Sequence, residues 1–200
     1  MVFSRYSKAA ANRILTPPAR LLLAARVSPD TVTLVGTIGL SASALWFIPR
    51  GQFVAGVLVM VLFVFSDTLD GTMARLSGRS SQWGAYLDST LDRVSDAAVF
   101  GSFVLYYVNE GDTTMSAVAL AALVGALLVS YARARAEGLG LNATVGLAER
   151  TERLVLLLAA AFFFGLGVPY LLPGALWVLA IGTWVTFGQR VWHVRRQAAG

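Results

Sequence analysis

The chain has 200 residues, of which 56% are hydrophobic and only 14% charged, and its mean hydropathy is +0.67. Globular domains carry about 25% charged residues, and here the apolar residues come in long runs, which excludes a disordered chain and a soluble α/β enzyme. Cys is absent, so disulfides, thiol nucleophiles, cysteine-held zinc and iron–sulfur clusters are excluded as well, while a net charge of +5 in such a chain bears on membrane orientation and lipid headgroups before nucleic acid.

The first thirty residues carry Arg5, Lys8, Arg13, Arg20 and Arg26, and their longest apolar run is Leu21–Ala25. That run is too short for the hydrophobic centre of a signal peptide. Phe3, Tyr6, Ala10 and Ile14 recur at helical spacing among these basic residues. The pattern predicts an amphipathic helix in the membrane interface, broken by Thr16-Pro17-Pro18. Ser28-Pro29 then reads as an N-cap with proline in the first helical position.

A helix needs roughly 20 mostly apolar residues to cross the hydrocarbon. Six stretches come close: Thr31–Pro49, Phe53–Leu76, Tyr86–Val108, Ser116–Glu137, Glu152–Val168 and Leu171–Gln189. Turn chemistry separates them at Pro49-Arg50-Gly51, Asn109 to Asp112, and Pro169 to Gly174. The predicted fold is therefore an all-α integral membrane protein. It has six transmembrane helices after an N-terminal interfacial helix, forming one domain over 1–200, with a juxtamembrane segment at 1–27 and a six-helix bundle at 28–200. With six spans both termini share a side, and every Lys and Arg except Arg50 falls on it. The positive-inside rule makes that side cytoplasmic, and the cell (inner) membrane is the expected location.

Span two contains Asp67 and Asp70, and span three contains Asp88, Asp92 and Asp96. An Asp at a helix centre costs about 2.5–3.5 kcal/mol on insertion scales, so these acids need compensation. Asp67 and Asp70 are three residues apart, Asp88 and Asp92 four, so each pair shares a helical face. The two helices are antiparallel neighbours, and carboxylates converging from both would repel one another without a cation. Oxygen donors favour Mg²⁺, Mn²⁺ or Ca²⁺ over zinc. Two ions would neutralise four carboxylates; one ion with a shifted carboxyl pKa is the alternative. Gly71 and Gly84 allow backbone to approach a ligand, and Arg75 suits a phosphate oxygen. A metal-bound phosphate site at the cytoplasmic interface follows.

As a string, Asp67, Asp70, Gly71, Ala74, Arg75, Gly84, Asp88 and Asp92 form D-x2-D-G-x2-A-R-x8-G-x3-D-x3-D. The string resembles the signature of the CDP-alcohol phosphotransferases. The resemblance implies homodimers, divalent metal (Mg²⁺ or Mn²⁺) on the four aspartates, and Asp92 also as the base for the acceptor hydroxyl. It implies that Gly71, Ala74, Arg75 and Gly84 hold the cytidine and diphosphate, with Pro29, Asp30 and Thr33 as further nucleotide contacts. The segments 28–37, 91–100, 130–137 and 149–154 are similar to bacterial phosphatidylinositol-phosphate synthases. That group joins CDP-diacylglycerol to inositol 1-phosphate and releases CMP. Its pattern places Ser130, Arg133, Arg153 and Arg190 around the acceptor phosphate, although Lys is common where this chain has Arg133. Dianionic phosphate and convergent guanidinium groups suit each other.

Other charged residues read more plainly. Arg135, Arg150, Arg195 and Arg196 follow the positive-inside pattern, Glu137 and Glu152 read as local ion-pair partners, and His193 reads as interfacial. Membrane lipids and the two substrates are the expected partners, and nucleic acid is not. Two alternatives remain from sequence: phosphatidylglycerophosphate synthase, whose acceptor is also a phosphate, and a divalent-cation transporter using the same acids. Transport favours acids near the bilayer midplane, whereas these gather toward one face.

Overall fold

The computed structural model describes residues 16–78, 81–146 and 149–199, with the side chains there other than those of Asp67 and Thr68. The described residues are helical throughout, with short turns and no strand. Six long helices follow in order: α1 (Pro29–Phe47), α2 (Phe53–Ser77), α3 (Gln82–Asn109), α4 (Thr113–Glu137), α5 (Arg150–Gly165) and α6 (Leu171–Ala198). The predicted interfacial helix at Phe3 to Ile14 lies outside the described residues. Residues 16–24, with Thr16-Pro17-Pro18 among them, are helical; the break expected between them and the interfacial helix also falls outside the described residues.

Caps explain where the helices start and stop. Ser28 Oγ accepts from the backbone N–H of Thr31 at 3.1 Å, so Ser28 caps α1 as the sequence predicts. After α1 a 3₁₀ turn, Ile48–Arg50, closes on Gly51, whose φ of 71° is left-handed and favours glycine. Ser81 takes the N–H of Gly84 at 2.9 Å at the start of α3, and Asp112 takes that of Met115 at 2.9 Å at the start of α4. A capping box of Glu149 and Glu152 opens α5, the Glu152 carboxylate accepting from the Glu149 N–H at 3.0 Å. Glu152 thus serves as a helix cap, and Glu137 pairs with Arg133, at 2.8 Å.

Four of the helical stretches are long and apolar enough to cross a membrane: Pro29–Arg50, Phe53–Ser77, Thr113–Glu137 and Leu171–Ala198. The other two long helices fall short for different reasons. α3 has the length, but it carries Asp88, Asp92, Arg93 and Asp96. α5 has only 16 residues, about 24 Å at the helical rise.

The chain divides into two compact units, Met1–Ser41 with Val59–Ser95, and Ala42–Leu58 with Asp96–Gly200. In the first, α1 and α2 approach closely because glycines line the contact. A Cβ on Gly36 would lie 2.8 Å from Ser66 Cβ, and one on Gly39 would collide with the Phe63 ring. Met60 and Met73 fill its interior. In the second unit α6 packs on α4 and α5. Its core holds Phe100, Phe103, Leu157, Leu172 and Leu176. Phe53 stacks edge-on with Tyr106 and Phe164 at 4.7 and 5.0 Å between ring centres.

Candidate active site

The first unit encloses a cavity of about 260 Å³. The first turns of α1 contribute Pro29, Asp30 and Thr33; the C-terminal half of α2 contributes Asp70, Gly71 and Ala74. Ser81, Gly84, Ala85 and Asp88 come from the start of α3 and the residue before it. Helical periodicity accounts for each set: Pro29 and Thr33 are one turn apart, as are Gly84 and Asp88. Asp70 is only 5% exposed, a burial that a carboxylate tolerates only with hydrogen bonds or a cation. Thr33 supplies one bond, its hydroxyl donating to Asp70 Oδ2 at 2.5 Å with the Pro29 carbonyl 3.1 Å away as second acceptor. The residues between Thr33 and Asp70 span two helices, so this bond ties the α1 start to the α2 acids.

A Cβ on Gly71 would meet no atom within 4 Å, so packing does not require that glycine. It leaves bare backbone on the cavity wall, as close approach by a ligand needs. At Gly84 a Cβ would stand 3.3 Å from Ser81 Oγ and 3.7 Å from Asp30 Oδ1. The α1 N-terminus also borders the cavity, and the partial positive charge of a helix start favours anions there.

Eight of the residues predicted for the nucleotide and metal thus meet in one cavity: Pro29, Asp30, Thr33, Asp70, Gly71, Ala74, Gly84 and Asp88. Arg75 and Asp92 stand apart. Arg75 is exposed and donates to Thr72 Oγ1 at 3.1 Å. Asp92, one turn beyond Asp88, is half-buried with Arg93 Nη1 at 3.9 Å. Asp67 lies one turn before Asp70 on α2. Sequence reasoning missed Ser81 and Ala85; their adjacency to Gly84 was the available signal. Among the described residues no three acidic or His side chains lie close enough to hold an ion. The donors that do meet are carboxylate oxygens with a hydroxyl, and no thiolate or imidazole is among them. That donor chemistry fits Mg²⁺ or Mn²⁺.

The second unit holds the residues predicted for an acceptor phosphate. Ser130, Arg153 and Arg190 are buried, at 8, 2 and 6% exposure. Arg190 donates through Nε to the Val145 carbonyl at 2.9 Å and through Nη1 to the Val129 carbonyl at 2.6 Å. Two neutral acceptors fix its plane without cancelling its charge. Arg133 is exposed and paired with Glu137. Both Arg133 and Arg153 lie within electrostatic reach of Arg190. Arg150, read from sequence as a positive-inside residue, is also part of the cluster: its Nε lies 3.1 Å from Asp96 Oδ1. Arg153 Nη2 lies 3.6 Å from the other oxygen, Asp96 Oδ2.

Residues 26–188 match the family described as CDP-alcohol phosphatidyltransferase, a stretch that runs through both units. A phosphatidylinositol phosphate synthase of Streptomyces avermitilis is 52% identical, over 99% of this chain and 84% of that protein. One from Cutibacterium acnes is 45% identical, over 92% of this chain and 93% of its own. Among solved structures, the Mycobacterium tuberculosis phosphatidylinositol phosphate synthase with CDP-DAG bound superposes with a TM-score of 0.87 at 39% identity, covering 91% of this chain and 94% of that one. The same mycobacterial enzyme in complex with manganese and citrate gives 0.85 at 38% identity, covering 90% and 88%. With the motif complete, the family match over most of its length and relatives this similar, the chain belongs to the CDP-alcohol phosphatidyltransferase family.

Proposed function

We propose that this chain is a membrane transferase that joins the phosphatidyl group of CDP-diacylglycerol to inositol 1-phosphate, giving phosphatidylinositol phosphate and CMP. The observation that carries this reading is the single cavity that gathers Asp70, Gly71, Ala74, Gly84 and Asp88 with Pro29, Asp30 and Thr33. Relatives named for this activity support the choice of acceptor.

In the reaction the acceptor hydroxyl oxygen bonds to the phosphatidyl phosphorus as the bond from that phosphorus to the CMP oxygen breaks. Asp92 takes the hydroxyl proton, and CMP leaves as the anion. Pro29, Asp30, Thr33, Gly71, Ala74, Arg75 and Gly84 bind the cytidine and diphosphate. Mg²⁺ or Mn²⁺ would be held by Asp67, Asp70, Asp88 and Asp92 and, when bound, supplies charge that neutralises the diphosphate. Ser130, Arg133, Arg153 and Arg190 hold the acceptor's phosphate, a task that fixed guanidinium groups perform well.

All six helices, α1 to α6, cross the membrane in this reading, and the protein acts as a homodimer, as the family resemblance implies. Both termini and the aspartates face the cytoplasm, because only Arg50 among the basic residues lies on the opposite side. Purified protein supplied with CDP-diacylglycerol, a divalent ion and labelled inositol 1-phosphate is expected to release CMP and to stop on chelation. Faster release with glycerol 3-phosphate would reassign the acceptor. Arg153→Ala is expected to raise the inositol phosphate KM about tenfold or more, as for loss of a charge-assisted hydrogen bond. An unchanged KM would remove Arg153 from the acceptor site.

A further inference from the structure

We propose that Asp96, which lies outside the eight-residue motif, is a positioning residue that sets the grip of Arg153 on the acceptor phosphate. The proposal rests on the reading above that Arg153 binds that phosphate. Asp96 is 1% exposed and Arg153 2% exposed. A charge so deeply buried is costly unless paired, and these two meet across 57 residues of sequence.

The geometry divides the labour of the carboxylate. Its Oδ1 lies 3.1 Å from Arg150 Nε, and its Oδ2 lies 3.6 Å from Arg153 Nη2. Arg150 and Arg153 are three residues apart at the beginning of α5, so they share a face of that helix. The start of a helix carries partial positive charge and disfavours cations. Two guanidinium groups facing inward there would repel each other and swing apart without an anion between them. One carboxylate against two guanidinium groups leaves the trio net positive, so its charge still favours an anionic ligand. Asp96 thus fixes where Arg153 points without neutralising the cluster.

A purely structural bridge, serving only to fasten α5 to α3, would lower stability and affect both substrates alike. Positioning affects one. In the full-length protein, Asp96→Asn keeps the shape but removes the charge that orients two arginines. It is expected to raise the inositol phosphate KM about tenfold, with kcat and the CDP-diacylglycerol KM changed by less than about twofold. Asp96→Glu restores the charge one methylene away and is expected to recover most of this, leaving about a threefold rise. An unchanged acceptor KM in Asp96→Asn, or equal loss for both substrates, overturns the proposal. If Asp96→Asn does not accumulate as folded protein, Asp96→Glu decides: a rise confined to the acceptor KM supports positioning, and none overturns it. Arg153→Ala is measured alongside. If it raises the acceptor KM while the Asp96 variants do not, positioning fails and the acceptor site stands; if Arg153→Ala has no effect, the acceptor reading itself fails.

Discussion

Asp92→Asn is expected to lower kcat by about 10²–10⁴-fold, the range for loss of a general base, while CDP-diacylglycerol still binds. The variant keeps the size of the side chain and removes its ability to take a proton. The local structure should survive, because Asp92 is half-buried and its neighbouring cation, Arg93, also donates to the Ser89 carbonyl within α3. The cavity walls that would hold the nucleotide do not include Asp92. Nucleotide binding and turnover should therefore separate. Equilibrium binding of CDP-diacylglycerol beside a CMP-release assay measures the separation. Residual turnover within tenfold of the parent would assign the proton to another group.

Gly125→Leu is expected to destabilise the fold strongly. A Cβ at Gly125 would collide with Thr183 Oγ1 and stand 2.8 Å from Thr183 Cβ and 3.3 Å from Trp184 Cδ1. Thr183 is fully buried, and its hydroxyl is bound to the Ala180 carbonyl at 3.0 Å, so it has little room to yield. One turn earlier on α4, the Ala121 carbonyl accepts from Trp184 Nε1 at 3.1 Å. Forcing α4 and α6 apart would strain that bond as well. Overpacking of this kind costs about 1–3 kcal/mol, read as a drop in thermal stability in detergent or nanodiscs. Gly101→Ala, whose Cβ would meet nothing within 4 Å, is the control: it should be neutral or gain up to about 1 kcal/mol of helix propensity. The same crossing carries Ser130 and Arg190 further along, so residual Gly125→Leu protein should also bind the acceptor more weakly.

Most of the helix framework was legible because apolar runs and turn residues mark it twice. Phe53–Leu76 was expected and Phe53–Ser77 is found; Ser116–Glu137 was expected and Thr113–Glu137 is found. The ends differ in both directions: α6 continues from Gln189 to Ala198, since backbone hydrogen bonding does not stop where hydropathy falls, whereas α5 ends at Gly165, short of the expected Val168. The nucleotide cavity was legible because its residues sit at helical spacing within short segments. The Asp96 trio was not. Asp96 lies more than 50 residues from its two arginines, and the register of one helix against another leaves no trace in spacing. Arg150 looked like any cytoplasmic arginine for that reason, and Arg190 gave no hint that two backbone carbonyls would fix it.

The first turn of α5, Glu149-Arg150-Thr151-Glu152-Arg153, sends its acids to the cap and its bases inward. Each residue advances a helix by about 100°, the angle implied by 3.6 residues per turn, so this sorting depends on phase. Deleting one residue just after Arg153 would bring Glu149 and Glu152 into the arginine positions and set two more carboxylates against Asp96. The turn can therefore absorb hardly any change of length. Among diverged copies of this chain, insertions and deletions should be confined to the loops on either side of α5.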